Sequence, residues 1–248
     1  MMDFHSHIDL YPNPIEVIRE IEERNIFILS VTTTPSAFEK TALLSSRTNL
    51  IETGIGLHPQ LVHQRVNEAR QIEKWIRQTD FVGEVGLDGG LEYKNSWNDQ
   101  LAVFNHALKL SSENGGRILS IHSRRAAKDV LNVLEEYDRN TPVLHWFSGN
   151  KTELKRAVDL GCWFSIGPPM INGSKGYDLI KIMPKNRILL ETDGPFTQFK
   201  NIPYMPWDAE EHCVPKLSEI WGCSQIETKE ILKSNKMNIL SLRHVLAD

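Results

Sequence analysis

Short apolar, β-branched runs recur along this chain, and each is followed by a longer stretch whose apolar residues fall at helical spacing. No other feature constrains the fold as strongly. The runs predict strands over 2–7, 27–32, 51–57, 81–86, 117–122, 142–147, 162–166 and 187–192. The stretches predict helices over 14–24, 35–47, 63–78, 96–114, 124–137, 151–160 and 174–182, with closing helices over 209–221, 224–234 and 237–245. In the first helix Ile15, Ile18 and Ile21 share a face. Asn13 stands at its N-cap, Pro14 in its first turn and Glu16 at the capping-box position. Runs such as 26–31 are apolar without alternation, as strands of a parallel sheet covered on both faces are. Eight β/α units within 248 residues predict an α/β fold, a closed (β/α)8 TIM barrel forming one unit over 1–248. An open doubly wound sheet is the alternative. The strand count, and the lack of a GxGxxG turn after the first strand, favour closure. Segment 194–208, rich in proline and aromatics, predicts an ordered loop over the barrel mouth.

Composition narrows the function. The net charge is −4, from 28 basic and 32 acidic side chains. That excludes a chain held on nucleic acid by bulk charge, so a nucleic-acid substrate would need a local site. Hydrophobic residues at 40% and charged residues at 24% exclude disorder as the dominant state. No window approaches the roughly 18–20 apolar residues of a membrane helix. The first residues have neither a basic region nor a long apolar core, so no signal peptide is expected. Cys162, Cys213 and Cys223 are scattered without a CxxC pair, and are expected to be reduced thiols in a cytoplasmic protein.

Where the nine histidines fall matters more than their number. Catalytic groups of this architecture sit at the C-terminal ends of strands. His5 and His7 fall at such an end on the first strand, His58 just after the third, His122 on the fifth and His145 on the sixth. Glu84 lies late in the fourth strand and Asp193 follows the eighth. His63, His106, His212 and His244 lie in or beside helices and read as structural. Residues two apart on a strand point to one face, so His5 and His7 can converge on one ion. His5, His7, Glu84, His122, His145 and Asp193 together offer more ligands than one ion needs. They suit two divalent ions roughly 3.5–4 Å apart with a bridging carboxylate, for which Glu84 is the candidate. Mixed imidazole and carboxylate ligands suit zinc or manganese better than magnesium. His58 is either a phosphate contact or a turn histidine before Pro59. Asp9 and Asp88 either orient ligands or cap turns. Trp146 and Trp163 read as barrel packing in preference to base-stacking platforms.

Six segments carry a family likeness: DFHSHIDL (3–10), GLHPQ (56–60), GEVGLD (83–88), QLAVFNHALKLSSENGGRILSIHSR (100–124), LHWFSG (144–149) and LLETDGPF (189–196). In this order the chain resembles the TatD family of metal-dependent deoxyribonucleases, within the amidohydrolase-like barrels, from Asp3 to about Leu242. More narrowly it is similar to the QatD-type nucleases of Qat anti-phage cassettes. The resemblance implies that His5, His7, Glu84, His122, His145 and Asp193 take metal-ligand positions. It also implies a DNase of 3′-to-5′ exonuclease type using divalent metal, usually described as magnesium, and protein partners in a defence complex. The chain departs from the family at Gly89-Gly90-Leu91, where aromatic and basic residues usually stand. It departs again at Lys200, where arginine is usual; lysine lacks the bidentate fork. Both departures bear on substrate choice.

The expected chemistry is phosphodiester hydrolysis of DNA, with RNA as a further possibility. Asp193 holds the attacking water and accepts its proton, Glu84 bridges the ions, and His58 and Arg124 meet the substrate. Two other functions compete. One is a small-molecule amide or ester hydrolase on the same barrel; many of these bridge their metals with a modified lysine on strand four, and 81–86 has no lysine. The other is a partner-binding subunit of a larger assembly, against which the full ligand set argues.

Overall fold

A computed structural model describes residues 1–243 of the chain. Its eight main strands are β1 (Met2–Ser6), β2 (Phe27–Val31), β3 (Ile51–Gly54), β4 (Phe81–Gly86), β5 (Ile118–His122), β6 (Thr141–His145), β7 (Trp163–Ile166) and β8 (Ile188–Leu190). All their neighbouring pairs are parallel, in the orders β1-β2-β3 and β4-β5-β6-β7-β8. Two seams join these arcs into a barrel. At one, Ile55 bridges Val82 just past the end of β3. At the other, the Asp193 N–H donates to the His5 carbonyl at 2.8 Å and the Thr192 N–H to Asp3 Oδ1 at 3.0 Å. The second seam is therefore made by residues at, or beside, candidate ligands.

The strands are almost wholly buried, which is why the sequence lacks alternation there. Most of their side chains form a main core with the surrounding helices, including Phe4, Phe81, Phe104, Ile118, Phe164 and Leu189, while Ile28 and Ile51 pack separately with Ile18 and Ile21 of the first helix. Two helices begin where side chains satisfy the first orphan N–H groups. Asn150 with Glu153, and Ser224 with Glu227, close full capping boxes.

Some elements differ from expectation. Asn13 makes no cap bond; its amide donates to the Glu16 carboxylate at 2.8 Å, which turns it away from the backbone. The helix expected over 63–78 is two short helices, Val62–Arg65 and Gln71–Trp75, joined and followed by 3-10 turns. Val62 packs with Leu57 and Val103, whereas Ile72, Trp75 and Ile76 enter the main core, so the chain must turn between anchors. Conversely, the helices expected over 224–234 and 237–245 are one helix, Gln225–Leu240. Asn235 sits buried within it and donates to the Lys185 and Ile188 carbonyls, at 2.8 Å each. The end of the second expected helix, and His244, lie outside the described residues. No helix of the described residues is long and apolar enough to cross a membrane. Cys162, Cys213 and Cys223 are all free.

Candidate active site

β1 and β4 each carry a register irregularity, between Asp3 and Ser6 and between Val82 and Val85. Such irregularities re-aim side chains beside active sites. His5 and Glu84 lie within them. His5 is fully buried, and a 2.7 Å hydrogen bond between its Nδ1 and Ser120 Oγ fixes the ring. Its Nε2 stands 3.3 Å from Glu84 Oε2 and 3.7 Å from Asp193 Oδ1. His7 Nε2 stands 3.7 and 3.5 Å from the same two oxygens. His5 Nε2 and both ring nitrogens of His7 are buried without a hydrogen-bond partner.

Those orphaned nitrogens are the test of fit for a metal. Buried polar atoms are normally satisfied, and hydrogen bonds are shorter than most of these separations. Two imidazoles and two carboxylates at such spacing match ligand atoms disposed around a cation roughly 2.0–2.2 Å from each. The residues present fit divalent metal.

Glu84 also faces the other way. Its Oε1 lies 2.9 Å from His122 Nδ1 and 3.1 Å from His58 Nε2. The two oxygens of this one carboxylate thus serve different imidazole pairs. Asp88 Oδ2 holds the far nitrogen of His122 at 2.9 Å, the arrangement that orients a ligating histidine. Asp88 also accepts from Gln60 Nε2 at 2.8 Å and from Arg124 Nε at 3.3 Å. His145 stacks on His5 with ring centroids 3.8 Å apart. Its Nδ1 lies 2.9 Å from Glu191 Oε2, and Glu191 also accepts from the Ser165 hydroxyl and the Trp146 N–H.

Three ligand-type triads result: His5, His7 and Glu84; His58, Glu84 and His122; His5, His145 and Glu191. Five of the six expected ligands fall in these triads and Asp193 stands beside the first, but His145 is grouped with His5 and Glu191 and not with Glu84. His58 is the turn histidine of the two readings: Nδ1 accepts from the Gln60 N–H at 3.1 Å, capping the turn, while Nε2 reaches Glu84. Arg124 lines the cleft but is paired with Asp88 and Glu92. His63, His106 and His212 pair or pack with Gln64, Glu73 and Tyr204, away from the mouth.

Electrostatics keep the acids ionised. Burial alone would raise Glu84, but the surrounding imidazoles, His58 and His5 foremost, hold it well below the usual range. Asp193 is likewise held low against burial by His7, His145 and His5. Burial lowers His5, and the neighbouring His145 adds to that, favouring the neutral ring a metal needs. Burial opposes charge on His145 too, yet Glu191 outweighs it and pushes the group up to about 10.

The mouth opens into a cleft of about 560 Å³ lined by Thr33, His58, Glu84, His122, Trp146 and Phe196 among others. Trp163 is buried in the core as expected, but Trp146 is not packing: it lies open at this cleft. Segment 194–208 is ordered, with a short hairpin pairing Gln198–Phe199 and Ile202–Pro203. Its Phe196 reaches the cleft, and the Tyr204 carbonyl is tied to the Tyr11 hydroxyl at 2.7 Å. Sequence reasoning missed Glu191 and Ser120. Glu191 left a signal, since it stands two residues before Asp193.

A parallel barrel whose mouth gathers buried imidazoles around shared carboxylates defines the metal-dependent hydrolase class. Within it, the chain belongs to the TatD related DNase family, whose model matches residues 2–241. It is 26% identical to human Deoxyribonuclease TATDN3, over 99% of this chain and 97% of that one. It is also 26% identical to an uncharacterized metal-dependent hydrolase TatD of Mycobacterium tuberculosis, over 87% and 86%. Among solved structures, YJJV, a TatD homolog from Escherichia coli, shares the fold with a TM-score of 0.85 at 24% identity, covering 95% and 96%.

Proposed function

We propose that the protein hydrolyses phosphodiester bonds of DNA, and by the same chemistry RNA, using two divalent cations at the barrel mouth. The single observation that carries this is the division of Glu84, with Oε2 toward His5, His7 and Asp193 and Oε1 toward His58 and His122. We assign His5, His7, Glu84 and Asp193 to one ion and Glu84, His58 and His122 to the other, with His145 stacked on His5 as a further ligand-type ring beside the first. The donor set favours zinc or manganese over magnesium. Cations bound there would ease loss of a proton from water and offset charge on the phosphoryl oxygens.

The chain's own groups do the rest. Asp193 is 15% exposed against 2% for Glu84, so it can meet an attacking water from the cleft and take its proton. Glu84 stays ionised and holds the imidazoles in place. His58 and Arg124 line the cleft where phosphate oxygens would lie, and Arg124 is placed to donate hydrogen bonds to them. Support for DNA comes from relatives named as deoxyribonucleases, and 3′-to-5′ exonuclease action follows the family likeness. A cytoplasmic place agrees with three free thiols. A role in anti-phage defence, with protein partners, rests on the Qat-type resemblance alone.

Oligonucleotides labelled at either end, incubated with metal and with EDTA beside simple esters, test the reading. Metal-dependent shortening from the 3′ end is expected. Ester turnover with oligonucleotides left intact would overturn it.

A further inference from the structure

Two large aromatic side chains stand open at the cleft, and the chemistry above uses neither. Trp146 is 36% exposed and Phe196 59% exposed, and both line the cleft with Glu84, His122 and Asp193. They flank the imidazole array. The Phe196 ring meets His7 edge-on at 4.9 Å, and the Trp146 ring stands 6.4 Å from His145. Trp146 has a left-handed backbone, φ 39°, which is costly for a bulky residue. Its N–H holds that conformation through the Ser165 carbonyl at 3.3 Å and Glu191 Oε1 at 3.1 Å. The carboxylate that orients His145 therefore also fixes the backbone that presents the indole.

Cations are scarce beside them. Arg124 is the one lysine or arginine among the described residues lining the cleft, and Asp88 and Glu92 already engage it. A nucleic-acid strand entering here finds little positive side-chain charge for its phosphates but two π-faces for its bases. Stacking is sequence-tolerant and strong enough to hold a strand.

We propose that Trp146 and Phe196 form a base-stacking subsite that holds an unpaired base of the nucleotide being cleaved. This rests on the nucleic-acid reading of the site. Bases inside a duplex have their faces covered, so the subsite selects frayed or single-stranded ends.

The test is anisotropy of a short, 5′-labelled single strand with phosphorothioate linkages, added to metal-loaded protein. A second strand lacks the bases at its 3′ end. Trp146→Ala and Phe196→Ala should each weaken binding of the intact strand by roughly tenfold, while Trp146→Phe retains most of it. The abasic strand should bind wild type about as weakly as the intact strand binds the alanine variants. Equal binding of both strands by wild type, or no loss in either alanine variant, would overturn the subsite. If wild type still digests the same strand made with ordinary phosphodiester linkages in that case, the nucleic-acid reading stands and only the subsite falls. If wild type neither binds nor digests any strand, both fall.

Discussion

Glu84 has two carboxylate oxygens, and the fold gives each its own imidazole neighbours. Asp193 sits on one side of it, nearer the solvent. Asp193→Asn keeps the size of the side chain but removes its charge and its capacity to take a proton. Hydrolysis should fall by roughly 10²–10⁴-fold with the thermal midpoint nearly unchanged, read by steady-state kinetics and calorimetry. Retained turnover with metal present would refute the assigned role. The metal-free protein should also show two pH limbs. Bonds from His122, Gln60 and Gly90 hold Asp88, against its burial, at about 2. A carboxyl lowered on folding stabilises above its unfolded pKa, so this contribution is lost as pH falls from about 4 toward 2. His145 is raised on folding to about 10, so its contribution is full below about 6.5 and is lost as pH rises toward 10. Thermal melts of Asp88→Asn and His145→Gln should flatten the acid and alkaline limbs respectively. Unchanged limbs would contradict the pairings. At this scale His5 and His7 were legible from the strand parity of the sequence, although β1 ends at Ser6 and His7 follows it. Glu191 left only the weak signal of an acid two residues before Asp193, which does not say what it holds. Its partners, His145 and Ser165, come from other strands.

Between residue and barrel, the strands place the ligands by close backbone approach. A Cβ on Gly56 would lie 2.3 Å from the Glu84 carbonyl oxygen and 2.4 Å from its nitrogen. Those are main-chain atoms, so the neighbour can yield only if the strand moves. Gly56→Ala should therefore cost about 1–3 kcal/mol in denaturant unfolding and reduce activity at least tenfold by shifting Glu84. A variant with full stability and full turnover would show that this contact does not position the site. Strands were legible because burial on both faces leaves a plain apolar signature. Helix limits were less so. Asn235 has weak helix propensity and reads as a break, yet its amide is satisfied by carbonyls at the entry to β8. Positions 63–78 have helical periodicity but two separate burial targets, which local spacing cannot reveal.

For the whole molecule, closing the ring and assembling the site are one event, because the seam between β8 and β1 is made at Asp3, His5, Thr192 and Asp193. Ligands remote in sequence meet only when the barrel closes. Metal binding should then stabilise the fold: at 100 times its dissociation constant one ion adds about 2.7 kcal/mol, and EDTA should reverse the gain in thermal midpoint. The sequence carried the barrel and the six ligand-type residues because strand ends are recoverable from pattern. It did not carry the grouping of His145 with Glu191 or the outward turn of Trp146, which depend on packing across strands. The most direct test is anomalous diffraction from crystals grown with manganese or zinc, collected on both sides of the absorption edge. Two peaks sharing Glu84, one beside His5, His7 and Asp193 and one beside His122, are predicted. An intact barrel mouth with no anomalous density at saturating metal would contradict the account.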